Sequence, residues 1–146
     1  MFFLGKTPKP VATAATTKAR GQAAEDQALA YLQARGLRLL ARNYRTPGRG
    51  GGEIDLILQE NDGTVVFVEV RSRKHAGFGG AGGSIGAAKR RRLVFAAQMW
   101  RQRYAPHAAC RLDVVLIEGD NLQWLATVAA QLDSLPQFFD TPNAQR

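Results

Sequence analysis

The sequence predicts an α/β fold, a sheet with helices packed against both of its faces. Two apolar, β-branched runs at residues 52–58 and 64–71 flank the turn signal Glu60-Asn61-Asp62-Gly63, the pattern of a β-hairpin. By alternation Ile54, Leu56 and Leu58 share one face of that hairpin, and Ile57, Val65 and Phe67 share the other. A strand pair that is apolar on both sides needs cover from two directions. Stretches of helical period stand before and after it, at residues 17–35 and 85–104.

Residues 1–16 hold Pro8 and Pro10 among Ala, Thr and Lys and read as a disordered tail. In residues 17–35, Ala24, Ala28, Tyr31 and Leu32 recur at helical spacing, and Gly36 is a natural stop. Glu25 stands at the edge of that buried stripe. It is either a solvated acid in the early turns, favoured by the helix dipole, or an acid that reaches the hairpin. Residues 37–44 form the first strand. The loop 45–52 is Gly-rich and basic, with Arg45 and Arg49, and runs straight into Glu53; its glycines match no phosphate-loop or dinucleotide pattern.

Beyond the hairpin come Arg71, Arg73 and Lys74, then a Gly-rich loop at 77–83 around Phe78. Ser84 is placed to cap the second helix. Ile85, Ala88, Leu93, Ala96, Ala97 and Trp100 form its packing side, while Lys89, Arg90, Arg91 and Arg92 follow one another near its start. Residues 111–117 are a strongly apolar strand. Gly119-Asp120-Asn121 turns it into a last strand, 122–125, and a short helix to Leu135 precedes a tail at 136–146. One domain, residues 17–135, is expected.

A net charge of +8 on 146 residues points to a polyanionic partner, and a nucleic acid fits best. No apolar run is long enough to cross a bilayer, and the run at Phe2-Phe3-Leu4 is too short for a secretory signal. Cytoplasm is the expected compartment. The single cysteine, Cys110, excludes an internal disulfide and a cysteine zinc cage, and its apolar neighbours suggest a buried, inert thiol.

The hairpin carries acids where a core should be: Glu53 and Asp55 in the first run, Glu69 in the second. Carboxylates are costly there unless compensated, and a bound cation is the simplest common compensation. Register decides whether one ion can serve. A three-residue Asn61-Asp62-Gly63 loop sets Glu60 against Thr64, Asp55 against Glu69 and Glu53 against Arg71. Opposed Cβ atoms lie about 4.5–5.5 Å apart. A two-residue Asp62-Gly63 loop would put Asp55 and Glu69 on opposite faces. In the first register Asp55 and Glu69 hold Mg2+ or Mn2+, and Glu25 adds a ligand through water. Arg71 shares the face of Glu69 and can clamp phosphate, but it cannot accept a proton. The basic residues Arg45, Arg49, Arg73, Lys74, Arg90, Arg91 and Arg92 are candidate phosphate contacts. Asp113, with no second acid beside it, reads as the structural partner of a nearby Arg.

The spacing of Asp55 and Glu69-Val70-Arg71 resembles the PD-(D/E)xK nuclease superfamily, with Arg in place of the usual Lys. Gly-Glu-Ile-Asp-Leu-Ile at 52–57 and Phe-Val-Glu-Val-Arg-Ser-Arg at 67–73 are similar to the YraN, or UPF0102, family. Gly21, Glu25, Arg42-Asn43-Tyr44, Lys89 and Arg111-Leu112-Asp113-Val114 fit the same pattern, so the resemblance covers about residues 21–125. It implies a restriction-endonuclease-like mixed sheet flanked by helices, related to archaeal Holliday-junction resolvases. It implies catalytic roles for Glu25, Asp55 and Glu69, with Arg71 at the basic position and Lys89 or Lys74 as source of the missing amine. The expected function is metal-dependent hydrolysis of DNA, including branched DNA, for which a homodimer would supply two sites. The alternatives are a nucleic-acid-binding module without hydrolysis, and a purely structural use of the acids, with Glu53 and Arg71 as an ion pair.

Overall fold

The computed structural model describes residues 13–48, 51–73 and 86–126, without the side chains of residues 13–18 and 20. The expectations for residues 1–12, Arg49, Lys74, Ser84, Ile85 and the segment after residue 126 lie outside it. The order is α1 (Thr13–Ala34), β1 (Arg38–Arg45), β2 (Glu53–Gln59), β3 (Val65–Arg73), α2 (Ala87–Tyr104), β4 (Cys110–Glu118) and β5 (Asn121–Leu125). The strands form one sheet in chain order, antiparallel throughout except for the parallel pair β3 and β4. A five-stranded mixed sheet flanked by two helices is consistent with a restriction-endonuclease-like fold.

Helix α1 begins at Thr13, four residues before the expected start near Thr17. It ends where the sequence says it must. Gly36 takes φ 97°, Leu37 N donates to Leu32 O at 3.2 Å, and Gly36 N donates to Gln33 O at 2.9 Å. This is a Schellman end, and its two hydrophobic residues, Leu32 and Leu37, are both buried in the core below α1.

The hairpin has the register of the three-residue loop. Gln59 pairs with Val65, Leu58 with Val66, Ile57 with Phe67 and Leu56 with Val68. Gly63 takes φ 95°, Gly63 N donates to Glu60 O at 2.9 Å, and Glu60 N donates to Thr64 O at 2.9 Å. Asp62 Oδ1 accepts from Thr64 N at 2.9 Å and stiffens the turn.

The sheet is covered as its two apolar faces require. Ala24, Ala28 and Leu32 of α1 pack on Leu56, Leu58, Val66, Val68, Val115 and Ile117. Leu93, Val94, Ala96, Ala97 and Trp100 of α2 pack on Ile57, Val65, Phe67, Leu112 and Val114. Phe67 meets Trp100 edge to face, with ring centroids 5.9 Å apart. Tyr31, expected in the stripe of α1, is only half-buried and carries the Arg35 guanidinium 3.6 Å over its ring. Ala88, expected on the packing side of α2, is exposed, and Val94 is buried instead. Cys110, expected to be buried, is half-buried at the start of β4.

One face assignment is corrected. Ile54 packs under α2 with Ile57, not with Leu56 and Leu58 under α1. Its partner on β1, Tyr44, also packs under α2, while Leu56, paired with Arg42, stays under α1. Strict alternation puts Ile54 and Leu56 on one face, so the strands change phase between these two pairs. The residues at that level are Asn43, whose φ of 49° lies in the left-handed region, and Asp55.

Candidate functional site

A cleft of about 470 Å³ lies between the middle of α1, the first turns of α2, the start of β2 and the second half of β3. Glu25, Glu53, Asp55, Glu69, Lys89 and Arg92 supply its charged lining, and Gly21, Gly52 and Ser72 are among its small residues. The glycine at 52 has a steric reason. A Cβ there would lie 3.2 Å from Arg92 Cβ, so the chain entering β2 rests directly on α2.

Asp55 follows the last regular β2–β3 pair. Its Oδ2 accepts from Val70 N at 2.8 Å, a side chain standing where a strand carbonyl would otherwise bond. Burial pushes the Asp55 carboxyl up to about 7, helped by the charge of Glu69 and opposed by the Val70 bond; Glu25 and Glu53 add smaller upward effects. Glu69 is buried on β3, and Lys89 Nζ of α2 lies 2.9 Å from its Oε2. Thus Lys89, from the first turn of α2, is a cation against Glu69. Arg71 lies two residues further along β3, opposite Leu116 of β4.

Glu25 lines the same cleft and is not a solvated acid. Asn43 Nδ2 donates to both of its oxygens, at 3.1 and 3.3 Å, and Arg42 Nη2 lies 3.4 Å from Oε1 while also pairing with Asp26 at 2.9 Å. The sequence flagged Arg42 and Asn43 only as part of a motif. Their partnership with Glu25 depends on α1 lying over β1, which spacing along the chain does not show.

The remaining expected residues divide. Arg92 lines the cleft and Arg91 is exposed nearby on α2; Arg90 is half-buried. Arg45 is exposed and lies 3.4 Å from Glu53, a pair across β1 and β2. Arg73, expected to contact phosphate, is half-buried in an ion pair with Glu118 of β4. Asp113 is structural, as its isolation suggested. Arg111 Nε donates to both of its oxygens at 3.1 Å. Trp124 Nε1 adds a bond at 2.8 Å, and Arg111 also pairs with Glu60. Burial raises the Asp113 pKa against these bonds.

Among the described residues, no group of three or more His, Cys, Asp or Glu side chains gathers tightly enough to hold a metal alone. The donor set nevertheless suits a hard divalent ion. Asp55 and Glu69 supply carboxylate oxygens, and Mg2+ commonly takes one or two of these with water and substrate phosphate. Burial first, and the Glu69 charge second, disfavour the ionised Asp55 carboxyl, and a bound cation would favour it.

The model of the uncharacterised protein family UPF0102 matches residues 24–117, from the start of the Glu25 turn to the end of β4. The chain belongs to the UPF0102 family. It is 66% identical to a UPF0102 protein of Acidovorax sp. (strain JS42) over 125 residues, 86% of this chain and 95% of that one. A UPF0102 protein of Paracidovorax citrulli is 66% identical over 118 residues, 81% of this chain and 87% of its own. One from Verminephrobacter eiseniae is 60% identical over 132 residues, 84% and 92% of the two chains. The cleft acids, Lys89 and Asp113 all fall inside the UPF0102 span. No described helix is long and apolar enough to cross a membrane.

Proposed function

We propose that this UPF0102 protein is a metal-dependent nuclease that hydrolyses DNA phosphodiester bonds, branched DNA among its substrates. The observation that carries the reading is the meeting of Asp55, Glu69 and Lys89 in one cleft, with Lys89 Nζ 2.9 Å from Glu69 Oε2. The reading is that of a PD-(D/E)xK nuclease, with the amine function on Lys89 and Arg71 at the position of the usual lysine.

Asp55 and Glu69, with Glu25 through water, would hold Mg2+ or Mn2+, which supplies Lewis-acid polarisation of the phosphoryl group and a more acidic water. The protein's own groups do the rest. Val70 N–H fixes Asp55, and Lys89 fixes Glu69. Exposed at 51% of its side chain, Lys89 can also turn toward the substrate. There it donates to a phosphoryl oxygen as charge builds in the transition state, or orients the attacking water. Arg92 at the cleft, with Arg91 and Arg45 at its rim, binds the phosphodiester backbone and sets its register. On a branched substrate, symmetric cutting requires two such sites, and so a homodimer. Under this reading the protein works in the cytoplasm.

A second reading, binding without hydrolysis, draws on Arg71, which stands where such nucleases have a lysine and cannot accept a proton. Incubation of labelled linear and four-way-branched DNA with Mg2+, Mn2+ or EDTA separates the two. Metal-dependent product that disappears in Asp55→Asn supports the nuclease. Retained binding with no product under any of the three conditions supports the binder.

A further inference from the structure

Arg42 and Asn43 are neighbours on β1, and neighbours on a strand project to opposite faces. Yet both reach Glu25. The left-handed backbone of Asn43 resolves this, because it turns the amide back toward α1, where Arg42 already points. The same turn re-phases the sheet. Before it, Leu56, the partner of Arg42, packs under α1; after it, Tyr44 and its partner Ile54 pack under α2. Asp55 sits at the changeover on β2, level with Asn43. The helix acid and the strand acid are therefore aimed into one cleft by one irregularity.

From this we infer that Asn43 is a positioning residue of the site, holding both oxygens of Glu25 so that this acid faces Asp55 and Glu69. Asn combines the two properties required. It tolerates the left-handed region better than most residues bearing a Cβ, and it carries a short donor. Asp would keep the backbone preference but replace the donor by a repelling acceptor. Gly would keep the backbone and lose the amide. Among the described residues the Arg42 guanidinium then remains on Glu25, and it is shared with Asp26 at the shorter distance of 2.9 Å. The inference rests on the metal-binding part of the function proposed above.

The test compares the full-length wild type with Asn43→Gly, Asn43→Asp, Glu25→Gln and the double variant Asn43→Gly/Glu25→Gln. Mn2+ uptake is followed by electron paramagnetic resonance, and thermal unfolding is followed without metal. Asn43→Gly is expected to unfold within a few degrees of wild type and to bind Mn2+ about tenfold more weakly, the usual scale for losing a group that orients a metal ligand. Asn43→Asp should bind more weakly still, and the double variant no more weakly than Glu25→Gln alone, because both changes remove one acid's contribution. Wild-type affinity in Asn43→Gly, or losses that add in the double variant, would overturn the inference. A folded wild type that takes up no Mn2+ overturns both it and the metal site. A wild type that binds Mn2+ through Asn43 and Glu25 but cuts no DNA supports the inference and overturns only the nuclease.

Discussion

Lys89 Nζ lies 2.9 Å from Glu69 Oε2, joining the first turn of α2 to the strand acid at the cleft. A lysine presents a compact, rotatable ammonium and an arginine a rigid planar fork, so Lys89 and Arg71 are not equivalent. Lys89→Ala should lower DNA cleavage by about 100-fold or more, the range of a removed general acid or base. Lys89→Arg should recover binding but little of the rate. Arg71→Lys should leave the rate near wild type. Single-turnover rates on one DNA substrate check all three, and a severe loss in Arg71→Lys with a mild one in Lys89→Ala would reverse the assignment.

The Asp55 carboxyl predicts how stability follows pH. Its folded value, about 7, lies above its ordinary 3.8. Between those values the folded chain keeps a proton that the unfolded chain has released. Stability from this group is therefore intact below about pH 4 and falls as pH rises toward 7. In the absence of metal, Asp55→Asn should unfold at a higher temperature than wild type at pH 8 and show little difference at pH 4. Added Mg2+ should close the gap at pH 8. Melting curves at the two pH values, with and without Mg2+, measure this directly.

Replacing Arg90, Arg91 and Arg92 together by Ala should flatten the salt dependence of DNA binding. The slope of log affinity against log salt should shrink by about 0.9 for each phosphate that these side chains neutralise. Titrations between low and moderate salt with uncut DNA, in EDTA, give the slope. Replacing Arg73 should leave that slope unchanged and lower stability instead, because its partner is Glu118.

Asp113 lies fully buried between Arg111 and Trp124. Asp113→Ala should cost about 3 kcal/mol of folding stability, since it strands a partly buried guanidinium and an indole N–H. Cleavage per folded molecule should not change. Urea unfolding beside rate measurements normalised to folded protein distinguishes this from a catalytic role.

Much of this architecture is legible in the chain because local rules agree with one another. Gly63 at a left-handed position admits the three-residue loop, and that register runs to Leu56 and Val68, the residues next to Asp55 and Glu69. Apolar residues on both faces of the hairpin demand two helices. Gly36 stops α1 on a hydrophobic pair. What alternation misassigns is Ile54, and the cause is non-local: the phase change is centred on Asn43, in a different strand from Asp55 and joined to it only through the pairing of β1 with β2. The ion pair of Arg73 is hidden in the sequence for a similar reason. Charge along a strand says where a side chain sits but not which acid a parallel neighbour brings beside it, and β4 brings Glu118 to Arg73. Lys89 is visible as a basic residue at a helix start; that it meets Glu69 depends on how α2 crosses the sheet.

The central claim is that Asp55 and Glu69 grip one divalent ion. Crystals of the protein with uncut DNA, soaked in Mn2+, test it by anomalous diffraction. The account predicts a peak bridging the Asp55 and Glu69 carboxylates that vanishes in Asp55→Asn. A wild-type map with no peak there, while DNA occupies the cleft, would contradict it.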